Sequence, residues 1–190
     1  EKQAENFRKM VVAMAKDFEI AAPGRFDKLF DDAKKEIFRL ETYPEYRVGA
    51  ENGELKYFLK HSRMGPESKD SGDWYAKMAR ARDRGVNYWR VRRLSVPRTP
   101  YERYELAAYK RQIPHGLKVW AFNRHQMPHA TKELDEVPYA MDYWMFDGKK
   151  IIFIQYDLLG KYMQTLEYTG DPTPYIKLRD RLKKISKRII

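Results

Sequence analysis

The segment Ile151-Ile152-Phe153-Ile154 is apolar at every position, and it follows the turn signal Asp147-Gly148 and the run Tyr143-Trp144-Met145-Phe146. A strand with one wet face alternates polar and apolar residues, whereas one covered on both faces does not. The segment therefore predicts a central strand with layers above and below it, joined by a hairpin to the strand before. Residues 162–168 extend this into a meander of three strands. Upstream, strand patterns at 36–41, 86–96 and 117–122 alternate with helical ones. The helical stretches are 26–30, 55–59, 73–84 capped by Asp73 and stopped by Gly85, and a helix opened by Thr99-Pro100. Residues 43–53, 62–73 and 123–138 read as loops, and Asp171 opens a last helix. This order predicts an α/β fold, or its α+β variant: one layered domain with a mixed sheet of about five to six strands flanked by helices. At the start, Ala4, Phe7, Met10, Val11, Met14 and Phe18 share one helical face and Pro23-Gly24 ends it. The expected organisation is an amphipathic helical extension over 1–24 and the α/β domain over 25–190.

Charge narrows the function. The 190 residues carry 38 Lys plus Arg against 27 Asp plus Glu, a net +11, with no Cys. Disulfides, thiolate metal sites and Cys nucleophiles are excluded. A cytoplasmic location is expected, and no apolar run of about 18 residues suggests a membrane partner. Neither phosphate-cradling glycine loop nor a G-x-S-x-G elbow occurs. His125 and His129 stand four apart but flank Pro128, so no metal site is expected, and no cofactor. His129, Lys132 and Asp135 form H-x-x-K-x-x-D, a spacing that departs from the H-x-K-x-x-x-x-D of phospholipase D-type enzymes. No catalytic residue is assigned.

The positive charge concentrates in two places. Arg80, Arg82, Arg84, Arg90, Arg92, Arg93 and Arg98 fall within one stretch, and guanidinium suits bidentate contact with phosphate or carboxylate. Period-two geometry puts Arg90 and Arg92 on one strand face, and Arg93 on the other with Trp89 and Val91. At least one must then be paired inside or at an edge, with Glu102, Glu105 or Asp83 as partners, or else hold an anion. The second patch runs from Lys177 to Arg188, with seven basic residues against Asp180. It reads as a solvated helix face or as a track for a nucleic-acid backbone.

The blocks Phe38-Arg39-Leu40-Glu41, Arg84-Gly85-Val86, Arg90-Val91-Arg92 with Ser95, Tyr101-Glu102-Arg103-Tyr104-Glu105-Leu106, Trp144-Met145-Phe146-Asp147 and Tyr156-Asp157 resemble an uncharacterised bacterial domain family. That resemblance implies genes lying beside XRE-type helix-turn-helix regulators. It brings no assigned active site. The order of elements also looks like half of a phospholipase D-like domain without its catalytic motif. Together these imply a non-catalytic regulatory or sensor domain that binds an anionic ligand or nucleic acid and works with a DNA-binding partner. Its expected binding residues are Arg39, Arg90, Arg92, Arg98, Tyr101, Tyr104 and Glu105. The residues Glu41 and Asp147 are expected in the same cleft. The alternatives are a divergent phospholipase D-like phosphodiesterase or nuclease, and a protein-interaction domain that forms a homodimer through residues 4–20.

Overall fold

The computed structural model describes residues 16–47, 51–123, 125, 134, 137, 142–157 and 159–189. Their elements, in chain order, are β1 (Phe18–Ile20), α1 (Arg25–Asp32), β2 (Glu36–Glu41), α2 (Glu51–His61), α3 (Lys69–Asp83), β3 (Asn87–Leu94), α4 (Pro100–Gln112), β4 (Lys118–Asn123), β5 (Tyr143–Phe146), β6 (Lys150–Tyr156), β7 (Tyr162–Tyr168), α5 (Thr173–Ile185) and β8 (Lys187–Arg188). A short 3₁₀ turn, Ile113–His115, follows α4.

One eight-stranded sheet has the order β1-β7-β6-β5-β2-β3-β4-β8. β2, β3 and β4 run parallel, and every other pairing is antiparallel. The two strands beyond the six expected are the edges, β1 and β8, with three and two residues. The amphipathic segment expected over 4–20 lies largely outside the described residues. Phe18, placed on its helical face, sits in β1 and packs edge-on against Phe153.

The sheet is covered on both sides, as Ile151–Ile154 demands. One face carries Phe38, Leu40, Trp89, Val91, Met145 and Phe153 and packs under Tyr175, Leu178 and Leu182 of α5. The other carries Ile37, Tyr88, Trp144 and Ile152 under Leu29 and Phe30 of α1, Tyr75 and Met78 of α3 and Tyr109 of α4. A third, tyrosine-rich cluster joins Tyr46, Tyr101, Tyr104 and Tyr156 against Leu55 and Phe58 of α2.

Local chemistry sets the boundaries. Thr99 and Glu102 close a reciprocal capping box at the start of α4. α3 starts earlier than Asp73, because the Ser68 side chain accepts from Ser71 N at 3.2 Å and Gly72 is absorbed into the first turn. Ser186 ends α5, so Lys187 and Arg188 pair with β4 instead of prolonging the helix. In the β5–β6 turn both Asp147 (φ 53°) and Gly148 (φ 65°) take the left-handed conformation.

Asp147, expected in the cleft, sits elsewhere. Its carboxylate accepts from the backbone N–H groups of Lys34 (3.0 Å), Lys35 (2.8 Å) and Glu36 (2.9 Å), tying the hairpin to the entry of β2. Partial burial opposes its charge, but these three donors outweigh burial and hold its pKa below the usual carboxylate range. Asp147→Ala should therefore lower stability by about 1–3 kcal/mol in urea denaturation at pH 7, since it strands donors at a strand entry. The loss should shrink as pH falls, because the depressed carboxylate contributes above its ordinary pKa and stops contributing once protonated.

Candidate anion-binding cleft

Parallel pairing aligns Ile37 with Tyr88, Arg39 with Arg90, and Glu41 with Arg92, while antiparallel pairing sets Trp144 against Arg39. Alternation along the strands then sends all these side chains to the face beneath α1–α4. Three arginines and a glutamate thus share the middle of the sheet, and Arg92 and Arg90 are only 0% and 4% exposed. An ionised group so buried is tolerated only when paired and hydrogen-bonded.

Glu41 supplies most of that pairing. Arg90 Nη1 donates to its Oε1 and Oε2 at 3.0 and 3.2 Å, and Arg39 Nε lies 2.9 Å from Oε1. The Tyr109 hydroxyl donates to Glu41 Oε2 at 2.6 Å and approaches Glu105 Oε1 at 3.3 Å, so it bridges two carboxylates. Glu105 holds Arg92 through Nε at 2.9 Å and Nη2 at 2.6 Å. Arg92 Nη1 also donates to the Tyr43 carbonyl, and Arg90 Nη2 donates to the Tyr88 hydroxyl and to Gln112 Oε1 at 3.4 Å. Rings complete the setting: Arg39 stacks 4.7 Å over Trp144 and Arg90 4.6 Å over Tyr109.

The electrostatics follow from this arrangement. Burial works against the Glu41 charge, yet Arg39, Arg90 and Arg92 overcome it and hold its pKa at about 2. The three guanidiniums are held protonated by the facing carboxylates, against burial. A third carboxylate, Asp142, accepts from the Thr42 N–H and hydroxyl, both at 3.2 Å, and from the Tyr46 hydroxyl. Burial dominates there and lifts its pKa to about 6, with the Tyr46 bond pulling the other way.

Above this floor lies a cavity of about 340 Å³. The sheet contributes Arg39, Glu41, Arg90, Trp144, Ile154 and Tyr156. α4 contributes Tyr104, Glu105, Ala108, Tyr109 and Gln112, and the α2–α3 side contributes Glu54, Asp70, Ser71, Trp74 and Tyr75. The size lies within the range of small-molecule sites. Three buried donors of its lining residues, Arg39 Nε, Arg90 Nε and Trp144 Nε1, make no hydrogen bond, although Arg39 Nε stays within ion-pair range of Glu41.

Of the expected binding residues, Arg39, Arg90, Tyr104 and Glu105 line this cavity, and Arg92 stands behind them through Glu105. Tyr101 lies in the neighbouring tyrosine cluster. Arg98 is exposed and lines a separate hollow with Pro97, Asn123 and Lys187. The rest of the arginine stretch does not converge on the site: Arg82 pairs with Asp83, and Arg84 reaches the Phe30 carbonyl. Glu102 serves the α4 cap and the Ser95 N–H, not an arginine. Sequence reasoning missed Tyr46, Tyr109, Gln112, Asp142, Glu54 and Trp74. Tyr109 had a signal, since it stands four residues after Glu105 on one helix.

His61 packs tilted against Tyr57 and His115 stacks on Tyr75, while His125 follows β4. None of the three lines the cavity. His129, Lys132 and Asp135 lie outside the described residues. Among the described residues no cluster of His, Asp and Glu is arranged to hold a metal, and no helix is long and apolar enough to cross a membrane.

Residues 24–188 match the model of a family described as a domain of unknown function, DUF6879. The chain belongs to that family. No curated protein matches the sequence. Among solved structures, this DUF6879 domain is similar to a phospholipase D family member, Nuc from Salmonella typhimurium. The TM-score is 0.50 at 11% identity, over 90% of this chain and 96% of that one. At that identity the likeness concerns the fold.

Glu41→Gln should destabilise the DUF6879 domain by about 3–5 kcal/mol, because it leaves two buried guanidiniums under-compensated; denaturant unfolding at pH 7 measures it. Asp142 gives the opposite pH signature. Its folded pKa is raised, so its contribution is full below its ordinary value of 3.8 and is lost as pH rises through about 6. Asp142→Asn, which can keep accepting from Tyr46, should remove the part of the stability decline between those two values, as read from melting temperatures across that range.

Proposed function

We propose that this DUF6879 domain is a non-catalytic regulatory or sensor module whose ligand is a small anion with an apolar, ring-bearing body. The observation that carries this reading is the buried Arg90. Its Nε and the Trp144 Nε1 both lack a hydrogen-bond partner, and both residues line the cavity. An orphaned buried donor is costly, and a ligand oxygen that reached either group would relieve it. Aromatic walls from Phe26, Trp74 and Trp144 suit a planar body.

The depth of the site favours a small molecule over a polymer. Arg90 and Arg92 are enclosed, and a nucleic-acid backbone needs cations it can run along. The phosphodiesterase alternative rests on a fold likeness, and fold does not carry function. A helix-turn-helix regulator remains the proposed partner, with ligand occupancy as the signal passed to it.

Isothermal titration with phenyl phosphate and with 3-phenylpropionate tests the reading. At least one should bind with a Kd of about 1 mM or tighter, and Arg39→Gln should weaken it about tenfold, a loss of ~1.4 kcal/mol. Trp144→Phe, which deletes only the indole donor and part of the ring, should weaken it less. If neither compound binds, or if Arg39→Gln leaves binding unchanged, the reading is wrong.

A further inference from the structure

The cavity has a second charged wall opposite the arginines. Glu54 of α2 lines it at 7% exposure, and the exposed Asp70, in the first turn of α3, stands at its mouth. Glu54 Oε1 accepts from Ser68 N at 3.0 Å and from the Ser71 hydroxyl at 2.6 Å. Burial opposes its ionisation, but those bonds, with a weaker pull from Arg111, hold its pKa below the ordinary value. Glu54 is therefore an anion inside the fold. Among the described residues it forms no ion pair, unlike Glu41 and Glu105, which each hold an arginine.

That contrast separates the two walls. On the sheet, Arg39 and Arg90 share Glu41, and the Nε of each makes no hydrogen bond, so that wall keeps spare donors for an anionic group. On the helices, Glu54 and Asp70 leave an excess of negative charge. Trp74 stands on the acidic side and Trp144 on the basic side, with Phe26 also on the cavity wall. An aromatic face beside a carboxylate is a favourable seat for an ammonium group.

We infer that the ligand is zwitterionic: a small amine-bearing acid whose anionic group meets Arg39 and Arg90, and whose ammonium group meets Glu54 and the face of Trp74. The inference rests on the anion-binding reading and adds the cationic end. A purely structural role for Glu54 would join α2 to the start of α3 and would be indifferent to charge on the ligand. A cationic group would instead give a direct ion pair to a buried carboxylate that otherwise feels only the longer-range pull of Arg111.

Three probes on one scaffold decide between these roles: L-phenylalanine, 3-phenylpropionate, which lacks the amine, and phenethylamine, which lacks the acid. Titrated into the wild-type chain, phenylalanine should bind at least tenfold more tightly than either of the others. Glu54→Gln keeps an oxygen to accept from Ser68 and Ser71, so it should fold, as an unchanged circular dichroism spectrum would show. In that variant the advantage of phenylalanine over 3-phenylpropionate should vanish while the affinity for 3-phenylpropionate stays the same. Asp70→Asn, at an exposed position, should reduce the advantage in part. Equal affinity of phenylalanine and 3-phenylpropionate for the wild-type chain would overturn the zwitterion and leave the anion site standing. Failure of all three probes, together with phenyl phosphate, would instead remove the anion site itself. The wild-type comparison is decisive even if Glu54→Gln does not fold.

Discussion

Glu41 sits where one carboxylate must serve two guanidiniums. β2 and β3 are neighbours in the middle of an eight-stranded sheet, and their alternation sends Arg39 and Arg90 to the same covered face. Without a negative charge between them, helices α3 and α4 could not close over that face without burying two like charges side by side. With Glu41 in place, Tyr109 can be drawn down from α4, and through Tyr109 the second pair, Arg92 with Glu105, joins the first. The packing of the helical layer and the shape of the cavity both follow from that polar seam. Apolar residues in place of a buried ion-pair set are often neutral or stabilising, so the seam is distinguished by the polar floor it gives the cavity rather than by its contribution to stability.

The polar seam was partly legible in the sequence. Period two along 88–92 put Arg90 and Arg92 together, and the same rule applied to 39–41 puts Glu41 beside Arg39. The hairpin at Asp147-Gly148 and the Thr99 cap were equally local, because a turn or a cap is decided by a few adjacent residues. What could not be read was anything requiring knowledge of which strands are neighbours. Trp144 reaches Arg39, and Asp142 reaches Thr42 and Tyr46, only because β5 inserts next to β2. β1 and β8 are too short to show a period, and Ser68 was hidden among other serines and glycines that all favour loops. Arg98 looked continuous with Arg90 and Arg92, but it lies beyond Pro97, where the strand face no longer dictates direction.

The net charge of +11 divides accordingly. The interior arginines are largely spent on Glu41 and Glu105 and say little about the outer surface. The surface excess lies on α5 and β8, where Lys183 and Arg188 sit over the Trp120 ring. Membership of the DUF6879 family and likeness to a phospholipase D fold tell which scaffold carries these features. The chemistry belongs to the individual side chains.

The insertion of β5 beside β2 also bears on the order in which the site is made. β2, β3 and α4, with the whole set of paired arginines and glutamates, lie within residues 36–112, whereas Ile37 must wait for Phe146 and Arg39 for Trp144. As the chain leaves the ribosome, the charged half of the floor is synthesised well before its aromatic half. Such long-range strand pairing is slow relative to local contacts. The glutamates that pair with these arginines are thus encoded in the part of the chain that emerges first, and the third carboxylate, Asp142, arrives together with the strand that closes the cavity wall.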